Sequence, residues 1–275
     1  MTIRVESIHI YPVKSTAPTT LESATVELAG LRHDRRWAVV DESGDWVTAS
    51  RCDALLGVTA KVADDGALWL SSDGRPDVVV DVPVEGPLVR VTISRLSTAV
   101  DAGDAAAAWF SDVVGDPVRL VWQDDPARRK VGENHGGLGD EPVSLADTGP
   151  LLLTSSASLA QLNDWIAADH EPQTMAMGRF RPNVVVDGDV APFAEDDWRD
   201  LRIGGVPYRF AEHCDRCVVT TIDPATRQHG KEPIRTLAGH RRWDGKTWFG
   251  IRIIPIAPGR LSVGDEVTVG DPATA

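Results

Sequence analysis

The chain has 275 residues, 42% of them hydrophobic and 25% charged, a composition that excludes disorder and argues for two packed units. Its 41 Asp and Glu against 28 Lys and Arg give a net charge of −13, which excludes nucleic acid and anionic membranes as expected partners. Any anion the protein binds must therefore sit in a local basic pocket.

The N-terminus, MTIRVESIHIYPVKS, alternates and lacks a basic segment followed by an apolar run, so it does not read as a signal peptide. No stretch reaches the roughly 20 apolar residues that cross a bilayer. A cytoplasmic protein is expected. A first strand is expected around Ile3, Val5, Ile8 and Ile10. Short β-branched segments then follow at Arg36 to Val40, Trp46 to Ala49, Val78 to Val82 and Leu88 to Ser94. Ser43-Gly44-Asp45 and Ser72-Asp73-Gly74 read as hairpin turns. A helix is expected from Asp104 to Val114, with Asp104 as N-cap and Gly115 and Pro117 as its stop. A domain boundary is placed near residue 120, giving units of 1–120 and 121–275.

The polar stretch Gln123 to Val143 reads as a long loop. Its Arg128-Arg129-Lys130 run is expected to be solvated, or else a docking patch or a lid. A second helix is expected from Ser156 to Ala168, with Leu159, Leu162 and Ile166 on one face. Further strands are expected at Asn183 to Val186, Val206 to Phe210, Val218 to Ile222, Phe249 to Ile256 and Glu266 to Val269. Glu195, Asp196 and Asp197 read as a solvated turn before a core anchor, Trp198. Many short strands and few helices make the fold mainly β, α+β in class.

Three cysteines, Cys52, Cys214 and Cys217, are too few and too oddly numbered for a disulfide framework. The pair in Cys214-Asp215-Arg216-Cys217 has several physical readings. A zinc site lacks a second such pair, although His213, His229 and His240 could contribute. A thioredoxin-like pair should open a helix, whereas a strand is expected after Cys217. A single thiolate on a soft metal is favoured by Arg216 beside Cys217. The plainest reading is two small buried hydrophobes.

The surrounding residues decide the weighing. Tyr11-Pro12-Val13-Lys14-Ser15, Gly30-Leu31 with Asp34-Arg35-Arg36-Trp37, Ala146-Asp147-Thr148, Phe180-Arg181-Pro182-Asn183, Ala194 to Trp198, Cys214 to Pro224, and Val263-Gly264-Asp265 occur in this order. Together they resemble the MOSC proteins with an N-terminal β-barrel domain, the group that includes the mitochondrial amidoxime reducing component and its bacterial relatives. The resemblance runs from Ile8 to Gly270, and the Cys-x-Arg-Cys piece is its strongest part.

The resemblance implies an N-terminal β-barrel-like domain packed on a MOSC β-barrel domain. It implies a molybdenum-pterin cofactor with Cys217 as the metal's thiolate and the catalytic centre. It implies that Lys14, Ser15, Arg35, Thr148, Gly149, Arg181 and Arg216 hold the pterin and its phosphate. Arginine forks, a lysine point charge and backbone N–H groups suit that anion. Pyridoxal phosphate is not part of the expectation.

Cys214 is left as a packed or supporting thiol and Cys52 as core filling. The sequence departs from the group at Gly149, often Ser in relatives, at Ser50, where relatives often carry Arg, and at Arg252, which matches an aromatic hydroxyl in some. These departures bear on substrate preference more than on cofactor binding.

The activity implied is reduction of N-hydroxylated compounds. With no Rossmann glycine fingerprint and too few cysteines for an iron–sulfur cluster, the electrons are expected from a separate protein, a ferredoxin or flavin reductase. Some relatives carry an appended ferredoxin-like domain, and none follows here before Ala275. Two alternatives remain: a cofactor carrier or sulfur-transfer protein without turnover, and a zinc-stabilised β protein.

Overall fold

A computed structural model describes residues 2–169 and 173–270. The architecture is mainly β, with a smaller set of sheets in the N-terminal half and one larger mixed sheet.

The larger sheet runs, in spatial order, Val267–Val269, Asp200–Ile203, Val206–Asp215, Lys246–Pro255, Leu151–Ser155, Val184–Asp187, Arg4–Ile10 and Thr19–Leu21. Arg242–Trp243 pairs off its path with Lys246–Pro255. Neighbours are antiparallel except Leu151–Ser155 with Val184–Asp187, which the helix Ser156–Asp169 connects as a crossover. Its core includes Ile8, Leu153, Val184, Val186, Leu201, Ile251 and Ile253. The first strand therefore belongs to this sheet, and Ser23–Glu27 pairs with Gly259–Ser262. Strands from the first 31 residues are thus woven into the C-terminal half, while Val13 and Ala17 between them join Trp37 and Val58 of the N-terminal half.

In the N-terminal half, Trp37–Asp41, Val118–Trp122, Leu96–Asp101 and Leu88–Ile93 form one sheet, and Thr59–Val62, Leu68–Ser71 and Val78–Val80 another. The helix Asp104–Val114 buries Ala106, Trp109, Phe110 and Val113 against Leu55, Leu68, Leu70 and Leu120. It ends where Gly115 turns left-handed (φ +84°) and donates to Ser111 O, as the glycine suggested. Its N-cap is Gly103, one residue before the expected Asp104. Asp104 instead pairs with Arg119 at 2.9 Å.

Several sequence expectations need correction. Trp46 to Ala49 contributes only an isolated bridge, Val40 to Trp46. The Asp41 carboxylate accepts from the N–H of Ser43 and Asp45, and Thr48 O then accepts from Arg51 and Cys52, so the chain turns twice and cannot extend. Val218–Thr221 is a 3-10 turn and not a strand. The hydroxyls of Thr220 and Thr221 donate back to Cys217 O and Val218 O, a local competitor to sheet pairing.

Glu195 is fully buried, accepting from Ser155 Oγ at 3.0 Å and Ser158 Oγ at 2.8 Å, so this member of the acidic run is not solvated, whereas Asp197 is exposed as expected. Burial pushes its carboxyl up. Trp198 is buried as expected. Arg129, read as solvated, has no exposed surface and donates to four backbone carbonyls. Among the described residues no helix is long and apolar enough to cross a membrane.

Candidate functional site

Where the two halves meet, loops from both line a cavity of about 200 Å³. Lys14 and Ser15 follow the first strand, Arg35 precedes Trp37–Asp41, Arg181 precedes Val184–Asp187, and Arg216 and Cys217 follow Val206–Asp215. Ser15 (φ +72°), Arg35 (φ +49°) and Arg181 (φ +57°) are all left-handed, a conformation non-glycine residues adopt rarely. Three such residues at one cavity are the kind of local strain that clusters at functional sites.

Tyr11 contacts two of the arginines. The guanidiniums of Arg35, at 4.3 Å, and Arg181, at 4.2 Å, both lie within cation–π distance of its buried ring. Burial pushes its phenol up to about 12, and the hydroxyl donates to Pro182 O at 3.1 Å. Arg35 donates to Asp34 at 2.7 Å, Asn183 Oδ1 at 3.0 Å and Arg181 O at 3.1 Å. Arg181 donates to Thr16 O at 2.7 Å. Burial, aided by the charge of Arg35, pushes it down to about 10 although Tyr11 opposes the shift.

Lys14 is buried, lowered by desolvation, and donates to Leu145 O and the Asp147 carboxylate. Lys14 in turn holds Asp147 far below the usual carboxylate range. Asp147 lies among protein atoms, yet 72% of its side chain meets solvent through the open cleft, so water screens that pair.

The cations outnumber their partners. Arg179 pairs with Asp223 at 2.5 Å, and Arg252 with Glu212 at 2.7 Å and Asp215 at 3.3 Å. Arg181 and Arg216 have no carboxylate partner among the described residues. Arg216 Nε is buried without a hydrogen-bond partner. A half-buried guanidinium without a carboxylate partner is an unbalanced charge, and an anion in the cavity would balance it.

The cysteines separate cleanly. Cys214 is buried and accepts from Arg216 Nη1 at 2.6 Å. Cys217 is exposed and lines the cavity. Cys52 is half-buried beside the N-terminal core. Among the described residues no group of three or more His, Cys, Asp or Glu could hold a metal, so the zinc alternative finds no ligand set.

Residues 2–117 match the model of the MOSC N-terminal beta barrel domain, and residues 140–268 match that of the MOSC domain. The human mitochondrial amidoxime-reducing component 1 is 33% identical over 283 residues, covering 96% of this chain and 82% of the human protein. This chain belongs to the MOSC family. The MOSC chain is also similar to the molybdenum cofactor sulfurase of Danio rerio, at 30% identity over 89% of this chain but only 31% of that protein. Among solved structures, the YUAD protein of Bacillus subtilis covers 97% of this chain and 94% of its own, at 12% identity and a TM-score of 0.43.

The MOSC cavity brings together seven of the residues singled out from sequence: Lys14, Ser15, Arg35, Gly149, Arg181, Arg216 and Cys217. Thr148 is not on its lining, and its hydroxyl donates to Glu212 at 2.7 Å. Arg216 sits beside Cys217 in sequence, but its guanidinium reaches Cys214 and Phe180 O instead. Sequence reasoning missed Arg179 and gave Asp147 and Asn183 no role in the site, while Arg252, singled out as a departure that bears on substrate preference, does line the cavity. The Arg179-x-Arg181 spacing was the available signal for the first.

Gly149 shows why its side chain is absent. A Cβ there would lie 3.3 Å from both Cβ and Cδ of Arg252, so the glycine makes room for the arginine stem. Two of the sequence departures are thus one structural feature. Ser50 lines the cavity, whereas Arg51 turns to Asp41 at 2.6 Å.

Proposed function

We propose that this MOSC protein is a molybdenum-cofactor-dependent oxidoreductase that reduces N-hydroxylated compounds with electrons from a separate protein. One observation carries the reading: the exposed Cys217 thiol shares a small cavity with two guanidiniums that have no carboxylate partner. A pterin phosphate fits that donor set, since half-buried cations without carboxylate partners favour an anion. The likeness to the human amidoxime-reducing component supports the substrate class.

Cys217 would hold the metal, since thiolate suits molybdenum and this sulfur is open to the cavity. Arg181 and Arg216 would take the anionic oxygens, and Lys14 and Arg35 would add positive potential while remaining tied to Asp147 and Asp34. Gly149 offers a backbone N–H only. When bound, the cofactor supplies two-electron redox chemistry at an oxygen-accepting metal.

The balance is an amidoxime, two electrons and two protons giving an amidine and water, with the N–O bond broken. Asp147 is held ionised and so accepts hydrogen bonds without donating a proton. Its solvent-open side of the cavity admits the water that delivers the protons. Tyr11 is closed off by burial and offers its ring to the two arginine cations.

A carrier reading is favoured by the similarity to the cofactor sulfurase. One experiment separates the two. The purified, cofactor-loaded protein is reduced and offered benzamidoxime. Reoxidation with benzamidine formed supports the reductase. No reoxidation, with cofactor passing to an apo-enzyme, supports the carrier.

A further inference from the structure

The chain is strongly acidic, yet one stretch runs against it. Residues 227–246 hold Arg227, Lys231, Arg235, Arg241, Arg242 and Lys246 against Glu232 and Asp244 only. Five of these six cations are exposed, whereas Glu232 is buried under Arg235. Arg227, Lys231 and Arg242 have no ion-pair partner among the described residues. Carboxylates from elsewhere reach this stretch at His229, His240 and Lys246, through Asp53, Asp169 and Asp215, and leave the three exposed cations unpaired in a protein of net charge −13, a locally attractive stretch within a repulsive field.

This stretch lies against the cavity mouth. Gly230 donates to Thr221 O at 3.0 Å, and an isolated bridge joins Ile222 to His229, so the loop packs on the 3-10 turn that follows Cys217. The helix Ile234–His240 and the strand pair Arg242–Trp243 with Lys246–Pro255 complete the face. Lys246 approaches the cavity-lining Asp215 at 3.7 Å.

Two apolar side chains stand among these charges. Val218, next to Cys217, is 58% exposed, and Trp243 is 37% exposed. Trp243 stacks on the buried Trp248 at 5.6 Å, and Trp248 is the cross-strand partner of Asp215, two residues before Cys217. Arg216 N–H donates to Thr247 O at 2.8 Å, which ties the same strand to the cavity wall. An aromatic pair thus runs from the basic surface to the strand that ends at the site. A charged rim around an exposed aromatic is the usual make-up of a docking surface.

We propose that the face formed by Arg227, Lys231, Arg242 and Lys246, with Trp243 and Val218 as apolar contacts, docks an acidic one-electron redox protein. The inference rests on the reductase reading, which needs two electrons per turnover and leaves their source outside the cavity. Charge complementarity selects the partner: an acidic protein is repelled by most of this chain and steered to this face. Two successive one-electron deliveries complete each reduction.

The test uses the full-length cofactor-loaded protein and, as donor, an acidic [2Fe–2S] ferredoxin. Association is measured by calorimetric titration at about 0.02 M and about 0.2 M salt, a range over which screening grows. The expected result is binding that weakens with salt, and that falls about tenfold or more in Lys231→Glu/Arg242→Glu. A second pair of exposed cations, Lys61→Glu/Arg90→Glu, should bind as the wild type does.

Benzamidoxime reduction driven by methyl viologen, which needs no docking, should be unchanged in both variants. Equal losses in both pairs, or no loss in either, would overturn the docking face. So would an oligonucleotide that binds as well and is lost with the same variant. Absence of viologen-driven turnover in the wild type would instead strike the reductase reading, while the titration still reports on the surface.

Discussion

Replacing Arg129 with Met tests whether this residue is a structural clamp. Arg129 has no exposed surface and donates to Ser94 O at 2.9 Å, Ala146 O at 2.6 Å and Asp147 O at 3.0 Å, as well as to Ser144 O. Burial pushes its guanidinium down to about 10, so its charge is itself expensive to keep there. Met fills a similar volume without donors. Four carbonyls would each lose a charge-assisted bond worth about 1.5–3 kcal/mol, partly offset by no longer burying a cation. The expected net loss is about 3–5 kcal/mol, comparable to breaking other buried charged networks.

Urea unfolding followed by tryptophan fluorescence reads this directly, and Arg129→Lys should lie between the two. Because Ala146 and Asp147 line the cavity, the Met variant should also bind cofactor poorly. A stability loss below about 1 kcal/mol would refute the clamp and return Arg129 to the solvated loop that its sequence context suggested.

Three further outcomes follow from the geometry. Glu195 has a folded-state value raised by burial, so the native state binds its proton more tightly than the unfolded chain does. Its contribution is full below the ordinary glutamate value and is lost as pH rises toward the folded one; the stability–pH curve of Glu195→Gln should be flatter across that window. Gly250 sits at φ +77°, and a Cβ there would meet Leu153 O at 2.7 Å. Gly250→Ala should lower stability by about 1–3 kcal/mol in denaturant titrations. Phosphate should stabilise cofactor-free protein by about 1.4 kcal/mol at ten times its dissociation constant, seen as a higher Tm, and this gain should shrink in Arg181→Met. An equal gain in the variant would remove Arg181 from anion binding.

Much of the fold was legible because local signals agreed with the final structure. The alanine run of Asp104–Val114 ends at a glycine that does turn left-handed. Ile8 and Ile10 do point into the core. What was illegible depends on distant partners. Leu151–Ser155 is buried throughout and shows no alternation, so it resembles any apolar run until its neighbours are known. Val218–Thr221 has strand-like composition, but its threonines bond their own backbone.

The same divide separates the site residues. Lys14, Arg35, Arg181 and Cys217 stood out within the motifs that resemble the family. The burial of Arg129 and Glu195 could not be read, because carbonyls and hydroxyls far along the chain are what make a charge tolerable there. The role of Gly149 likewise depends on Arg252, 103 positions away, and no local pattern joins them.

The proposed function depends above all on a bond from the sulfur of Cys217 to molybdenum. Molybdenum K-edge X-ray absorption on wild-type protein and Cys217→Ser, both from a molybdenum-replete host, tests it most directly. The expected result is metal in the wild type with one more sulfur neighbour than in any metal the variant retains. Wild-type protein without molybdenum, or identical spectra from the two, would contradict it.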